Sequence, residues 1–185
     1  MKFLLLIDQS CFRFINQNLS NPFCDLIMPV FDDPKYFVLL ILLLWVYLLI
    51  NDKDNRWKLA FLIPIVVILT DQTGLMIKKT VLRPRPWAAL DQDLILLLVG
   101  EKGLNYSFPS NHAANVSGLA VIFSSTYQRY KIGIWSLAGI VMFSRIYIGV
   151  HYPGDVLGGW LLGSGIGFIL VTGMGYYQNK NSPLM

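Results

Sequence analysis

Five stretches of this chain are too evenly apolar to lie on the surface of a water-soluble domain. Residues 36–50 carry no charge between Lys35 and Asp52, and residues 59–77, 113–130, 132–149 and 155–177 form comparable runs. Short polar connections such as NDKDNRWK at 51–58 separate them. Crossing a hydrocarbon core of about 30 Å takes about 20 helical residues, and inside it every backbone N–H and C=O must be satisfied within the element. The pattern predicts an all-α fold, an integral membrane helix bundle with five spans, forming a single domain over residues 1–185. Charged residues make up 14% of the chain and hydrophobic ones 55%, whereas soluble domains carry about 25% charged residues.

The net charge of +4 is spread among the apolar runs. That distribution excludes a nucleic-acid face and makes the lipid bilayer, anionic lipid included, the natural partner. Residues 1–34 mix apolar and polar positions with runs too short to span, which predicts an amphipathic interfacial helix or a tilted sixth span. Asp8 follows the short apolar run 3–7 and no A-x-A-like site appears, so a cleaved signal peptide is not expected. Cys11 and Cys24 lack metal-ligand spacing and are expected as buried thiols.

Polar groups inside apolar runs need a partner. Asp71, Gln72 and Thr73 near the end of the second run should face the bundle, with Asp71 either a structural partner for a nearby cation or a carboxylate behind a site. LILLLVG at 94–100 is too short to span and reads either as a membrane-dipping cover or as ordinary packing under a long loop. Gly159, Gly163 and Gly167, at four-residue intervals, leave one helix face nearly bare for close packing.

If the spans alternate, 51–58, the turn at 129–131 and the carboxyl terminus fall on one side. The segments ending at Lys78, beginning at His112 and linking Arg145 to Asp155 fall on the other, so three charged motifs converge on one face. The first holds Lys78 and Arg85, with Arg83 close by, on a loop stiffened by Pro84 and Pro86. The second is Pro109-Ser110-Asn111-His112, at a helix start where the dipole favours an anion. The third is Ser144-Arg145 followed by His151 and Asp155, a four-residue spacing at which a carboxylate can fix the tautomer of an imidazole.

Fixed cations, a hydroxyl, two histidines and a carboxylate suit phosphoryl transfer. Lys78, Arg85, Arg145 and Ser110 would hold phosphoryl oxygens, while one histidine attacks and the other protonates the leaving oxygen. His151 is the preferred nucleophile because Asp155 lies four residues away. Zinc on the two histidines and the aspartate is the competing chemistry, but the neighbouring cations would oppose a divalent ion.

The spacing K78-x6-R85-P86, P109-S110-N111-H112 and S144-R145-x5-H151-x3-D155 resembles the three motifs of the type 2 phosphatidic acid phosphatase family, related to the vanadium haloperoxidases. The motifs cover about 80 residues, and the surrounding spans suit the family's membrane branch. The family usually has glycine where this chain has Asn111, and Asn tolerates left-handed backbone geometry well enough to keep such a loop. The resemblance implies that His151 forms a phosphohistidine, Asp155 orients it, and His112 is the general acid. Lys78, Arg85, Ser110, Asn111 and Arg145 would bind the phosphate, with no metal and no cofactor.

The small size looks most like bacterial envelope phosphatases, which implies a lipid A 1-phosphatase. Undecaprenyl diphosphate phosphatase and phosphatidylglycerol phosphate phosphatase are the alternatives within the class. A non-enzymatic anion or lipid transporter is the alternative outside it, although a transporter needs a path through the bundle and these charges gather at one end. Lys53, Arg56, Lys58, Arg129 and Lys131 mark the opposite face as cytoplasmic. The expected place is therefore the bacterial inner membrane, multi-pass, with the site toward the periplasm.

Overall fold

The computed structural model describes residues 2–32, 34–91, 93, 95–100 and 106–181, and among these every regular element is helical. An isolated antiparallel bridge joins Pro84 to Tyr106.

Helix α1 (Lys2–Arg13) runs on through a π-helical turn, Phe14–Asn18. Phe3, Leu4, Leu6 and Phe14 are exposed on it, whereas Phe12 and Asn16 are fully buried. One face of the segment is thus anchored in the bundle while apolar side chains elsewhere on it are exposed. Helix α2 (Pro22–Ile27) starts at Asn21, whose side chain accepts a hydrogen bond from the Cys24 N–H at 2.9 Å. Cys11 is exposed and Cys24 half-buried, both free thiols, so the buried environment expected for them is corrected. Cys11 precedes Phe12 on α1 and falls outside its buried side.

The five expected long helices are α3 (Pro34–Asn51), α4 (Arg56–Val81), α6 (Asn111–Thr126), α7 (Lys131–Tyr147) and α8 (Pro153–Asn181), with a single turn, α5 (Pro86–Ala89), between α4 and α6. Their lengths differ from the apolar runs. Arg56–Val81 and Pro153–Tyr176 are long and apolar enough to cross a membrane, while α3, α6 and α7 have 18, 16 and 17 residues. About 20 are needed for an untilted crossing, so two of the five expected spans meet the requirement of length and composition and the other three do not. Helix α6 stops short because Tyr127 leaves helical geometry and donates its hydroxyl to Asp52 at 2.6 Å. Helix α7 stops because Gly149, at φ +90°, turns the chain in a conformation that favours glycine.

Helix α8 lies on α6 through the glycine stripe. A Cβ at Gly159, Gly163 or Gly167 would press on the Ser110, Ala114 or Gly118 carbonyl of α6. The two backbones are thus in contact along three turns. Leu59, Leu62 and Val66 of α4 pack with Leu119 and Ile122 of α6 on another side. Helix α3 packs along α4, and a groove of about 410 Å³ between α3, α6 and α7 is lined by Leu40, Leu44, Val116, Phe123 and Leu137.

The described part of the 94–100 segment is packed. The Asn16 Nδ2 donates to the Leu96 and Tyr147 carbonyls at 2.9 and 2.7 Å, and its Oδ1 accepts from Leu96 N–H at 2.9 Å. Leu97, Leu98 and Val99 sit on Tyr147, Ile148 and Val150. Leu94 lies outside the described residues.

Candidate active site

Four local features bring the charged residues together. Lys78 stands in the last turn of α4, which Leu82 ends at φ 51°, sending the chain into Arg83-Pro84-Arg85-Pro86. The Ser107 N–H donates to the Arg83 carbonyl at 2.7 Å beside the Pro84–Tyr106 bridge, tying that loop to the strand-like approach to α6. The Lys78 Nζ donates to the Ser107 carbonyl at 3.1 Å and to the Pro109 carbonyl. The Ser110 N–H donates to the Asp155 carbonyl at 2.9 Å, and the His151 N–H to the Arg145 carbonyl at 3.1 Å. Three segments far apart in sequence thereby share one backbone frame.

Within that frame Ser110, Arg145 and Asp155 are fully buried and His151 nearly so. Ser110 is the N-cap of α6, its hydroxyl oxygen accepting from Ala113 N–H at 3.4 Å. Orphan N–H groups at a helix start favour an anion. His112, in the first turn, feels the charges of Arg145, Arg85, Lys78 and Asp32. Arg85 is pushed down by burial and held up by Asp32 and Asp155, and a guanidinium remains a cation in either case.

His151 and Asp155 do not meet as the spacing alone suggests. The Asp155 Oδ2 is 3.7 Å from the His151 Nδ1, beyond hydrogen-bond reach. The Ser107 hydroxyl stands between them, donating to Asp155 Oδ2 at 2.5 Å and lying 3.2 Å from Nδ1. A hydroxyl whose proton goes to the carboxylate can accept from Nδ1–H, which leaves the Nε2 lone pair as the reactive one. Asp155 is otherwise satisfied by Tyr152 N–H at 2.8 Å on Oδ2 and by Arg83 Nη1 at 2.8 Å on Oδ1.

Burial, reinforced by the Arg85 and Lys78 charges and opposed by Asp155, pushes the His151 imidazole down to about 3. The ring is therefore neutral and nucleophilic near neutrality. In the unfolded chain an imidazole titrates near 6.5, so the unfolded state takes up the proton first as pH falls. The stabilising contribution of the neutral ring is complete above about pH 6.5 and is lost as pH falls toward about 3. Accordingly, His151→Asn should lose less in thermal midpoint than the parent protein between pH 7 and pH 5. Equal losses in the two proteins would remove this account.

Two acidic partners were not legible. The Arg145 Nη1 donates to Asp32 Oδ1 at 2.7 Å, and its Nε and Nη2 donate to Ser144 Oγ at 3.2 and 3.1 Å. Asp8 of α1 pairs with Arg83. Nothing in the local pattern around Asp8 or Asp32 distinguishes either from a solvated carboxylate. Ser107 had a fainter signal, a hydroxyl three residues before Ser110 on a proline-containing approach to the helix.

One expected participant is placed differently. Asn111 is helical, not left-handed, and its Nδ2 donates to Asp71 Oδ1 at 3.1 Å. Its side chain therefore faces α4, where the bare Gly74 makes room for it, and contributes no donor to the cluster. Asp71 is held by two amides, Asn111 and Asn115, each at 3.1 Å, and pairs with no cation among the described residues.

Comparison with known proteins gives a consistent result. A family model described as the PAP2 superfamily matches residues 57–179. A lipid A 4'-phosphatase of Bacteroides thetaiotaomicron is 30% identical over 179 residues, covering 88% of this chain and 75% of that protein. An undecaprenyl-diphosphatase of Sulfolobus acidocaldarius is 34% identical over 128 residues, 67% of this chain and 58% of that protein. The crystal structure of Aquifex aeolicus LpxE superposes with a TM-score of 0.74 at 27% identity, covering 90% of this chain and 95% of that one.

Proposed function

The chain belongs to the PAP2 superfamily and is a phosphoric ester hydrolase, and we propose that its substrate is lipid A, dephosphorylated through a phosphohistidine on His151. The observation that carries the chemistry is the neutral, buried His151 backed by Ser107 and Asp155, in the field of Arg85 and Lys78.

In this mechanism Lys78, Arg85, Arg145 and the amino-terminal N–H groups of α6 hold the phosphoryl oxygens, with the Ser110 hydroxyl beside them. The Nε2 of His151 attacks phosphorus as the bond to the lipid oxygen breaks, and His112 gives that oxygen its proton. Asp155, acting through Ser107, steadies the imidazolium that forms. Water then attacks the phosphohistidine, His112 takes its proton, and inorganic phosphate leaves with both histidines restored. No metal ion takes part in this route.

A lipid substrate accords with a site at the ends of long apolar helices, where a headgroup can react while its chains remain in the bilayer. The proposal includes all five long helices as spans, α3, α6 and α7 crossing with the help of flanking turns. It places the protein in the bacterial inner membrane with the site toward the periplasm, following the cations at 53, 56, 58, 129 and 131.

The test is phosphate release by purified protein from lipid A, undecaprenyl diphosphate and phosphatidylglycerol phosphate, with EDTA present. Lipid A should be hydrolysed fastest. Mass analysis of the product distinguishes loss of the 1-phosphate, expected from sequence, from loss of the 4'-phosphate, the activity named for the Bacteroides relative. Preference for another lipid would overturn the substrate, and loss of activity in EDTA with recovery on zinc would overturn the metal-free route. Failure to release phosphate from any of the three would favour the transport alternative. Labelling of Asp54→Cys from either side of the membrane, with Cys11 and Cys24 replaced, tests the orientation.

A further inference from the structure

Asp8 and Phe12 lie one turn apart on α1, hence on the same face. That face is the part of α1 that reaches the site. The Phe12 ring packs edge-on against Tyr152 with centroids 5.4 Å apart. The Asp8 Oδ1 accepts from Gly154 N–H at 2.7 Å, at the start of α8. Its Oδ2 pairs with Arg83 Nη2 at 2.5 Å, and the other arm of the same guanidinium, Nη1, donates to Asp155 Oδ1 at 2.8 Å. The Arg83 Cζ stands 4.2 Å over the Tyr152 ring. Tyr152, Gly154 and Asp155 are thus all held, directly or through Arg83, from one face of α1.

We propose that Asp8 is a positioning residue for the phosphoryl transfer, acting through Arg83 to hold the Asp155 carboxylate against Ser107 and His151. The inference rests on the roles given above to His151 and Asp155. Arg83 is a forked donor between two carboxylates, one fixed on α8 and one on α1. Without the second, the stack on Tyr152 still limits the plane of the guanidinium, but its Nη2 arm loses its fixed partner and the guanidinium can turn within that plane, so Asp155 Oδ1 keeps its partner in more than one geometry. The exposed apolar face of the same helix, with Phe3, Leu4 and Leu6, suits seating at the bilayer surface. Contact with the membrane and alignment of Asp155 then depend on one element.

Asp8→Asn tests this in the full-length protein. It keeps a side-chain oxygen for Gly154 N–H while removing the charge facing Arg83. The expected result is a fall in kcat of about tenfold, by analogy with the loss seen when the hydrogen-bond partner of a metal-ligating side chain is removed, with KM changed less than about twofold because no phosphate contact is lost. Asp8→Glu should recover most of the loss. Asp8→Asn combined with Arg83→Gln should be no slower than Arg83→Gln alone, since both act through one linkage. A purely structural role predicts otherwise: a lower thermal midpoint with kcat per folded molecule unchanged, which would overturn the proposal. His151→Ala assayed alongside separates the two levels. If it is inactive while Asp8→Asn keeps full kcat, the positioning role alone falls; if it is active, the nucleophile assignment falls first.

Discussion

His151→Ala should lower lipid phosphate turnover by about 10⁴-fold or more, the scale seen when a covalent nucleophile is removed. The size of the effect follows from the geometry. Ser107 and Asp155 are arranged to serve this imidazole, with the hydroxyl 3.2 Å from Nδ1. Removing the ring leaves them with nothing to orient. His112 stays at the head of α6 and the cations stay in place, so the phosphate still binds and KM should change far less than kcat. His112→Ala should cost less, about 10² to 10⁴-fold, because a general acid contributes that much and a good leaving group restores part of it. Acid-labile, base-stable phosphate should be trapped on the parent protein and be absent from His151→Ala. Full turnover by the variant would place the nucleophile elsewhere.

Gly163→Val should be the most damaging small substitution for stability. A Cβ there meets the Ala114 carbonyl and the Ser117 hydroxyl of α6, with no flexible side chain at the closest point to yield. Overpacking in an adaptable core costs about 1–3 kcal/mol. Where the obstacle is backbone the two helices must part, so a loss above about 3 kcal/mol is expected, read as a collapse of the thermal midpoint in detergent or as absence of folded protein. Gly173→Ala is the control. It lies further along α8 with open space around the added carbon, and exchanging a helical glycine for alanine favours the helix by about 0.5–1 kcal/mol. Equal damage from both substitutions would show that the stripe is not what joins α6 to α8.

These contrasts separate what was legible in the sequence from what was not. The apolar runs predicted the five long helices, because burial and helical hydrogen bonding are properties of a single segment. The motif residues around Lys78, Ser110, His112, Arg145 and His151 were legible because their spacing places each at a helix end. Helix lengths were not, since the end of α6 depends on a Tyr127–Asp52 bond that no run of hydrophobicity records. Ser107, Asp8 and Asp32 escaped for the same reason. Each acts through a partner dozens of residues away, and a lone serine or aspartate carries no periodicity. Asn111 was misplaced because its position in a motif says nothing about which way the side chain leaves the helix, and the space opposite Gly74 decides that.

The seam between α6 and α8 has a mechanical meaning. His112 rides at the head of α6 and His151 just ahead of α8, so the two imidazoles belong to one rigid body whose parts cannot slide without driving backbone into backbone. Helix α3, beside an apolar groove that no described side chain fills, is the softer wall. In the proposed topology, with α3 as a span, thickening or thinning of the surrounding bilayer would be taken up as tilt of α3, and the spacing of the reactive pair would be insulated from it.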